Sequence, residues 1–176
     1  MPCSPTAPPT PAWTSVRVAA NEDDTARLAQ ALACAMREDP TLANALLTLR
    51  GDLGAGKTTF ARHLLQALGV TGRIKSPSYA LVEPYSLPAP ASGPALPPAW
   101  HADLYRLDDP REWEDAGLRE LFATPGLKLV EWPEKAGSLL PMPDLDLLFH
   151  HEGDDTRRIA LTAHSPRGSA LLAALS

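Results

Sequence analysis

Apolar positions follow different rhythms along this chain, and each rhythm predicts an element. Residues 13–18, WTSVRV, alternate like a short strand. Leu28, Leu32 and Met36 recur at helical spacing over EDDTARLAQALACAM, with Asn21 as the cap and three acids in the first turn. Residues 45–50, ALLTLR, are almost continuously apolar, which suits a strand buried on both faces. A second helix runs through Leu68 and stops at Gly69. Residues 78–86, SYALVEPYS, and 99–107, AWHADLYRL, predict an antiparallel pair of strands. Asp109-Pro110-Arg111-Glu112 starts a helix in which Trp113, Gly117, Leu121 and Phe122 follow at helical spacing. GLKLVEW, residues 126–132, is another short apolar strand. LDLLFHH and RRIALTAH form a late pair of strands about a Gly153-Asp154-Asp155 turn, and Pro166 opens a terminal helix. There is no internal repeat. This order indicates an α/β fold, with a mainly parallel central sheet flanked by helices and antiparallel strand additions.

Proline interrupts these rhythms. Ten of the 19 prolines fall in MPCSPTAPPTPA and LPAPASGPALPP. A residue with no N–H and a fixed φ cannot join a helix interior or a central strand. Residues 1–12 therefore read as a disordered tail and 88–98 as a long loop, leaving 13–176 as one domain of ordinary size. The formal net charge of −5 argues against a nucleic-acid groove of the chain's own. Cys3 in the tail and Cys34 in a predicted helix argue against a disulfide framework, and neither a signal sequence nor a membrane span is evident. A cytoplasmic protein without a membrane role is expected.

The chemistry concentrates in GDLGAGKTTF, residues 51–60. Gly51, Gly56, Lys57 and Thr58 satisfy G-x-x-x-x-G-K-[ST], for which chance gives only about 0.006 matches in a chain of this length. A buried strand precedes the motif and a helix follows, as a phosphate loop requires. Asp52, Leu53, Gly54, Ala55, Gly56, Lys57, Thr58 and Thr59 form the expected nucleotide cradle. N–H groups from about Gly54 to Thr58 converge on phosphate oxygens, aided by the helix dipole. Lys57 neutralises the outer phosphates, and the Thr58 hydroxyl can bind Mg²⁺.

Hydrolysis also needs an acid near the metal, and two stand at suitable positions. Glu131 ends LKLV. Asp103 lies in WHADLYRL, where His101, Asp103 and Tyr105 would share one strand face. Surface ion pairing is the competing role for both acids. Trp132 suits either the core or a place beside the nucleotide. His150 and His151 point to opposite faces of a strand, which disfavours a shared metal. The acids from Asp108 to Asp115 read as a capped helix start. Between Arg50 and Lys75 lie five basic residues and one acid, suited to bound phosphate, a docking face or plain solvation.

The guanine-specifying Asn/Thr-Lys-x-Asp and the Asp-x-x-Gly switch are both absent, so adenine is the default base. A small-molecule kinase would want an acceptor pocket and a basic lid, and the one adjacent arginine pair, Arg157-Arg158, lies in a late strand. LRGDLGAGKTTFARHLLQALGV, IKSPSYALVEPY, HADLYRLDDPREWEDAGLRELF and LVEWPEK, in that order, resemble the TsaE (YjeE) family of ATPases in bacterial tRNA threonylcarbamoyladenosine synthesis. The resemblance implies a P-loop NTPase-like fold and binding of ATP and Mg²⁺ by Lys57 and Thr58. It assigns Ser76-Pro77-Ser78 to a switch-like segment, makes Asp103 the functional aspartate and Glu131 the Mg²⁺-site acid, and brings Trp132 with them. It implies docking on the TsaD–TsaB pair, contact with tRNA only through that complex, and slow hydrolysis that the partners stimulate. Lys57, Asp103 and Glu131 would then be the catalytic residues, with Thr58, Glu131 and Asp103 serving the metal. A small-molecule P-loop kinase and a nucleotide-sensing module that hydrolyses little are the alternatives.

Overall fold

A computed structural model describes residues 13–77 and 80–175. The proline-rich tail, Ser78 and Tyr79 lie outside the described residues. Seven strands form one sheet in the order β1-β7-β6-β2-β5-β4-β3. They are β1 (Trp13–Ala19), β2 (Leu46–Arg50), β3 (Val82–Tyr85), β4 (Ala99–Asp103), β5 (Leu127–Glu131), β6 (Leu145–His151) and β7 (Arg157–Ala163). The central four, β6-β2-β5-β4, are parallel. β1, β7 and β3 add antiparallel to the two sides. The α/β sheet with antiparallel additions is thus observed.

Two apolar layers fix the sheet. On one face α1 (Glu22–Glu38), α2 (Lys57–Ala67) and α5 (Pro166–Ala173) bury Leu28, Leu32, Met36, Phe60, Leu64 and Leu171 against alternate strand residues such as Leu47, Leu49, Leu129 and Leu147. On the other face α3 (Pro110–Asp115) and α4 (Leu118–Ala123) bring Trp113 and Leu118 onto Leu46, Ala102 and Val130. This second layer covers the β2-β5-β4 half only, and Val16 and Val18 of β1 stay about half exposed. β2 is buried on both faces, as its continuous apolar run requires. Asn21 caps α1 by accepting from the Asp24 N–H at 3.0 Å.

Two expectations change. The strand expected over residues 99–107 ends at Asp103. There the Asp103 carboxylate accepts the Tyr105 N–H at 3.0 Å and turns the chain, so Tyr105 leaves the strand face. The helix expected from Pro110 onward is two helices, because Gly117 adopts φ 64° between them. The proline-rich loop has no regular structure, but its ends are anchored. Pro88 packs on Gly69, Leu96 packs against the core, and the Pro98 carbonyl accepts from Leu127 N–H at 3.0 Å. No helix among the described residues is long and apolar enough to cross a membrane.

Candidate active site

The parallel strands end along one edge of the sheet, where an α/β fold places its ligands. β2 delivers the glycine-rich loop there. Gly51 must be glycine, because a Cβ on it would stand 2.4 Å from the Phe149 carbonyl of the neighbouring strand. Its φ of 134° is also one that L side chains rarely adopt. Beyond the loop α2 begins at Lys57, and its first intrahelical bond runs from Phe60 N–H to the Gly56 carbonyl. The helix geometry leaves the N–H groups of Gly56, Lys57, Thr58 and Thr59 without intrahelical acceptors. Ala55 departs from the expected cradle. Its N–H is spent on the Asp52 carbonyl at 3.1 Å and its methyl packs in the core. Asp52 does not line the cleft, and it contributes a carbonyl rather than its carboxylate.

Lys57 is 4% exposed. Its ammonium donates to the carbonyls of Gly51 at 2.6 Å and Asp52 at 2.7 Å, and stands 4.1 Å from the centre of the Trp132 ring. Burial pushes its pKa below the ordinary lysine value, against the opposing pull of Glu131, Glu134, Asp103 and Asp52. Trp132 owes its place to backbone geometry. Among the described residues it alone combines a side chain with positive φ, at 56°. Such a conformation costs about 1–3 kcal/mol and tends to occur at functional sites. Its indole lies 5.0 Å from the Tyr105 ring, so the turn after β4 supplies the next aromatic.

Both sequence-predicted acids arrive at this edge. Asp103 and Glu131 are register partners at the ends of β4 and β5. Pleat alternation turns Glu131, like Leu129, to the side of α2. The Thr58 hydroxyl contacts both Glu131 oxygens, at 2.8 and 2.9 Å. Glu131 is 2% exposed, and its other partner is His101, whose Nε2 lies 2.8 Å from Oε1. A carboxylate only accepts, so Nε2 carries the proton, while the buried Nδ1 has no partner among the described residues. Ser76 donates to Asp103, which ties the segment before Ser78 to the end of β4.

These residues line a cleft of about 540 Å³. Leu53, Gly54, Gly56, Thr58 and Thr59 form its floor with Lys57. Ser76, Pro77, Asp103, Tyr105, Glu131 and Trp132 form one wall. Arg106 and Glu112 also line it; the sequence marked Glu112 only as part of a helix start and Arg106 not at all. His101 was placed beside Asp103, but its bond to Glu131 depends on strand pairing that no local pattern encodes. Among the described residues no three His, Cys, Asp or Glu side chains gather as a metal nest. The oxygen set at the mouth is one hydroxyl and two carboxylates. Such hard donors suit Mg²⁺, which keeps waters and phosphate oxygens in its remaining positions. His150 and His151 are exposed on β6, away from this cleft.

Residues 19–159 match the family model described as threonylcarbamoyl adenosine biosynthesis protein TsaE. The tRNA threonylcarbamoyladenosine biosynthesis protein TsaE of Haemophilus influenzae is 42% identical over 131 residues, spanning 74% of this chain and 78% of that one. Its Bacillus subtilis counterpart is 39% identical over 131 residues, 74% of this chain and 77% of its own length. The crystal structure of Bacillus subtilis YdiB superposes with a TM-score of 0.72 at 30% identity, covering 94% of this chain and 96% of that one.

Proposed function

The chain belongs to the TsaE family of tRNA threonylcarbamoyladenosine biosynthesis, and from that premise we propose that it is a Mg²⁺-dependent ATPase serving the TsaD–TsaB complex. One observation carries the reading most directly. Thr58, at the start of α2, bonds the buried Glu131 while Lys57 lies under the loop beside them.

In this reading the triphosphate lies on the loop, where the open N–H groups of α2 and its positive dipole face the phosphates. Lys57 leaves its two carbonyl partners for phosphate oxygens and retains the face of Trp132. Thr58, Glu131 and Asp103 would hold a Mg²⁺, which would supply charge to neutralise the terminal phosphates. His101 fixes the rotamer of Glu131, and Ser76 fixes that of Asp103. With the acids preorganised, catalysis consists of positioning and electrostatic stabilisation.

The cleft has no covering lid among the described elements, and a partner surface can supply that closure. Docking on TsaD–TsaB therefore raises a slow basal rate and couples hydrolysis to repeated threonylcarbamoyl transfer, with tRNA held by the complex. ATP turnover measured with and without the TsaD–TsaB pair tests this. Stimulation by the pair is expected. An unchanged rate, or a phosphorylated small acceptor, would transfer the assignment to the kinase reading.

A further inference from the structure

Glu131 uses its two oxygens unequally. Oε1 has two neighbours among the described residues, the His101 Nε2 at 2.8 Å and the Thr58 hydroxyl at 2.8 Å. Oε2 has the Thr58 hydroxyl alone, at 2.9 Å. A carboxylate oxygen carries about two lone-pair sites, so Oε1 is filled and Oε2 keeps one open. Asp103 divides its partners evenly. Ser76 donates to Oδ2 and the Tyr105 N–H to Oδ1, so among the described residues neither oxygen is filled.

The fold holds this asymmetry in place. His101 lies opposite Leu129 in the β4–β5 ladder, one step along the same sheet face from Glu131. Both side chains are sealed from solvent, the imidazole completely. The His101 Nδ1 is buried without a partner among the described residues. A neutral ring with its proton on Nδ1 would set the bare Nε2 lone pair against the carboxylate, so the geometry selects the Nε2–H tautomer.

We propose that His101 sets the metal preference of the site by closing Oε1, so that Glu131 presents a single oxygen to the ion. This rests on the Mg²⁺ reading above. Ca²⁺ takes about six to eight oxygens and accepts both oxygens of one carboxylate, whereas Mg²⁺ demands a tight octahedron that a single oxygen suits. His101 is thus a positioning residue. It discriminates through the carboxylate it holds. With Oε1 released, the carboxylate can turn both oxygens toward the larger ion, and the bias toward Mg²⁺ shrinks.

Displacement of Mn²⁺ from the complex of the full chain with ADP, followed by electron paramagnetic resonance as Mg²⁺ or Ca²⁺ is added, measures that bias without turnover. Wild type should favour Mg²⁺. His101→Met, similar in size but with no donor, should shift the ratio of Mg²⁺ to Ca²⁺ affinity toward Ca²⁺ by roughly tenfold, through loss of one charge-assisted bond. His101→Gln sets an amide N–H near the Nε2 position and should restore most of the ratio. If thermal melting shows His101→Met unfolded, His101→Asn decides, since its shorter amide does not reach Glu131. Nitrogen NMR of the metal-free protein should show His101 protonated on Nε2 and bare on Nδ1. The opposite tautomer overturns the proposal, as does a wild-type ratio in the deciding variant. An equal shift in His101→Gln also overturns it, because shape and not the donor would then be at work. Wild-type protein that binds no ADP, holds no divalent ion beside it or lacks the Mg²⁺ preference overturns the Mg²⁺ reading itself, and the part of His101 with it.

Discussion

Lys57 is a charge kept where solvation alone would not keep it. Its pKa is lowered by burial, so the charged form is disfavoured on folding. The penalty is in full force below the folded pKa and is relieved as pH climbs toward the unfolded value of about 10.4. Wild type should therefore gain stability relative to Lys57→Met between about pH 7 and about pH 10. Urea unfolding of both proteins at the two values checks this, since other groups titrate alike in each. Lys57→Ala should lose most of its affinity for Mg-ATP, and calorimetry showing wild-type affinity would remove Lys57 from the phosphates. The acids should behave differently. Asp103→Asn and Glu131→Gln leave the N–H cradle intact, so nucleotide should still bind while hydrolysis falls roughly tenfold or more. Normal hydrolysis by either variant in the assembled complex would make that residue a structural acid. Lys57, Thr58 and both carboxylates were legible in the sequence because loop spacing and strand ends mark them. The bond from Ala55 N–H to Asp52 was not legible, because a consensus string does not say which N–H groups the loop spends on itself.

At the level of elements, glycine sets two boundaries by different means. Gly117 has φ 64°, and a Cβ there would meet only the Glu120 carboxylate at an ordinary 4.0 Å, so Gly117→Ala should cost about 1–2 kcal/mol through backbone strain. Gly51→Ala adds a collision with the Phe149 carbonyl and should cost distinctly more. Chemical denaturation of the two variants ranks them, and equal losses would refute the steric account. Gly117 also shows why the predicted single helix was wrong, since Trp113, Gly117 and Leu121 keep helical spacing across a break that a positive φ introduces. The Trp113 and Phe122 rings stack with centroids 5.1 Å apart, although nine residues would set them on opposite sides of one unbroken helix, so the break at Gly117 brings them together. The proline-rich loop divides the same way. Residues 88–95 are exposed, whereas Leu96 and the Pro98 carbonyl belong to the frame. Exchanging residues 89–95 for a glycine-serine link should leave nucleotide affinity unchanged and cost less than about 1 kcal/mol of stability. A large loss of either would assign that segment a task.

At the scale of the molecule, function depends on neighbours that are distant in the chain. Threonylcarbamoyladenosine formed per TsaD–TsaB complex should continue past one turnover only with this protein and hydrolysable ATP, and Glu131→Gln should stall it. Equal multiple turnover without the chain would end the proposed accessory role. Helix caps and burial patterns are local, and they were readable. Strand order is not. Nothing in ALLTLR says that β2 will lie between β5 and β6, yet that placement brings Glu131 to Thr58. The same order governs how the chain is made. Thr14 of β1 meets Thr162 of β7, 148 residues away. During synthesis at about 5–20 residues per second, the first strand waits roughly 7–30 seconds for the partner that completes it. Throughout that interval the backbone N–H and C=O groups of β1 lack the ladder that β7 supplies. The first of the seven described strands is thus among the last that can be paired into the sheet, and an edge left open that long is a place where nascent chains can join one another.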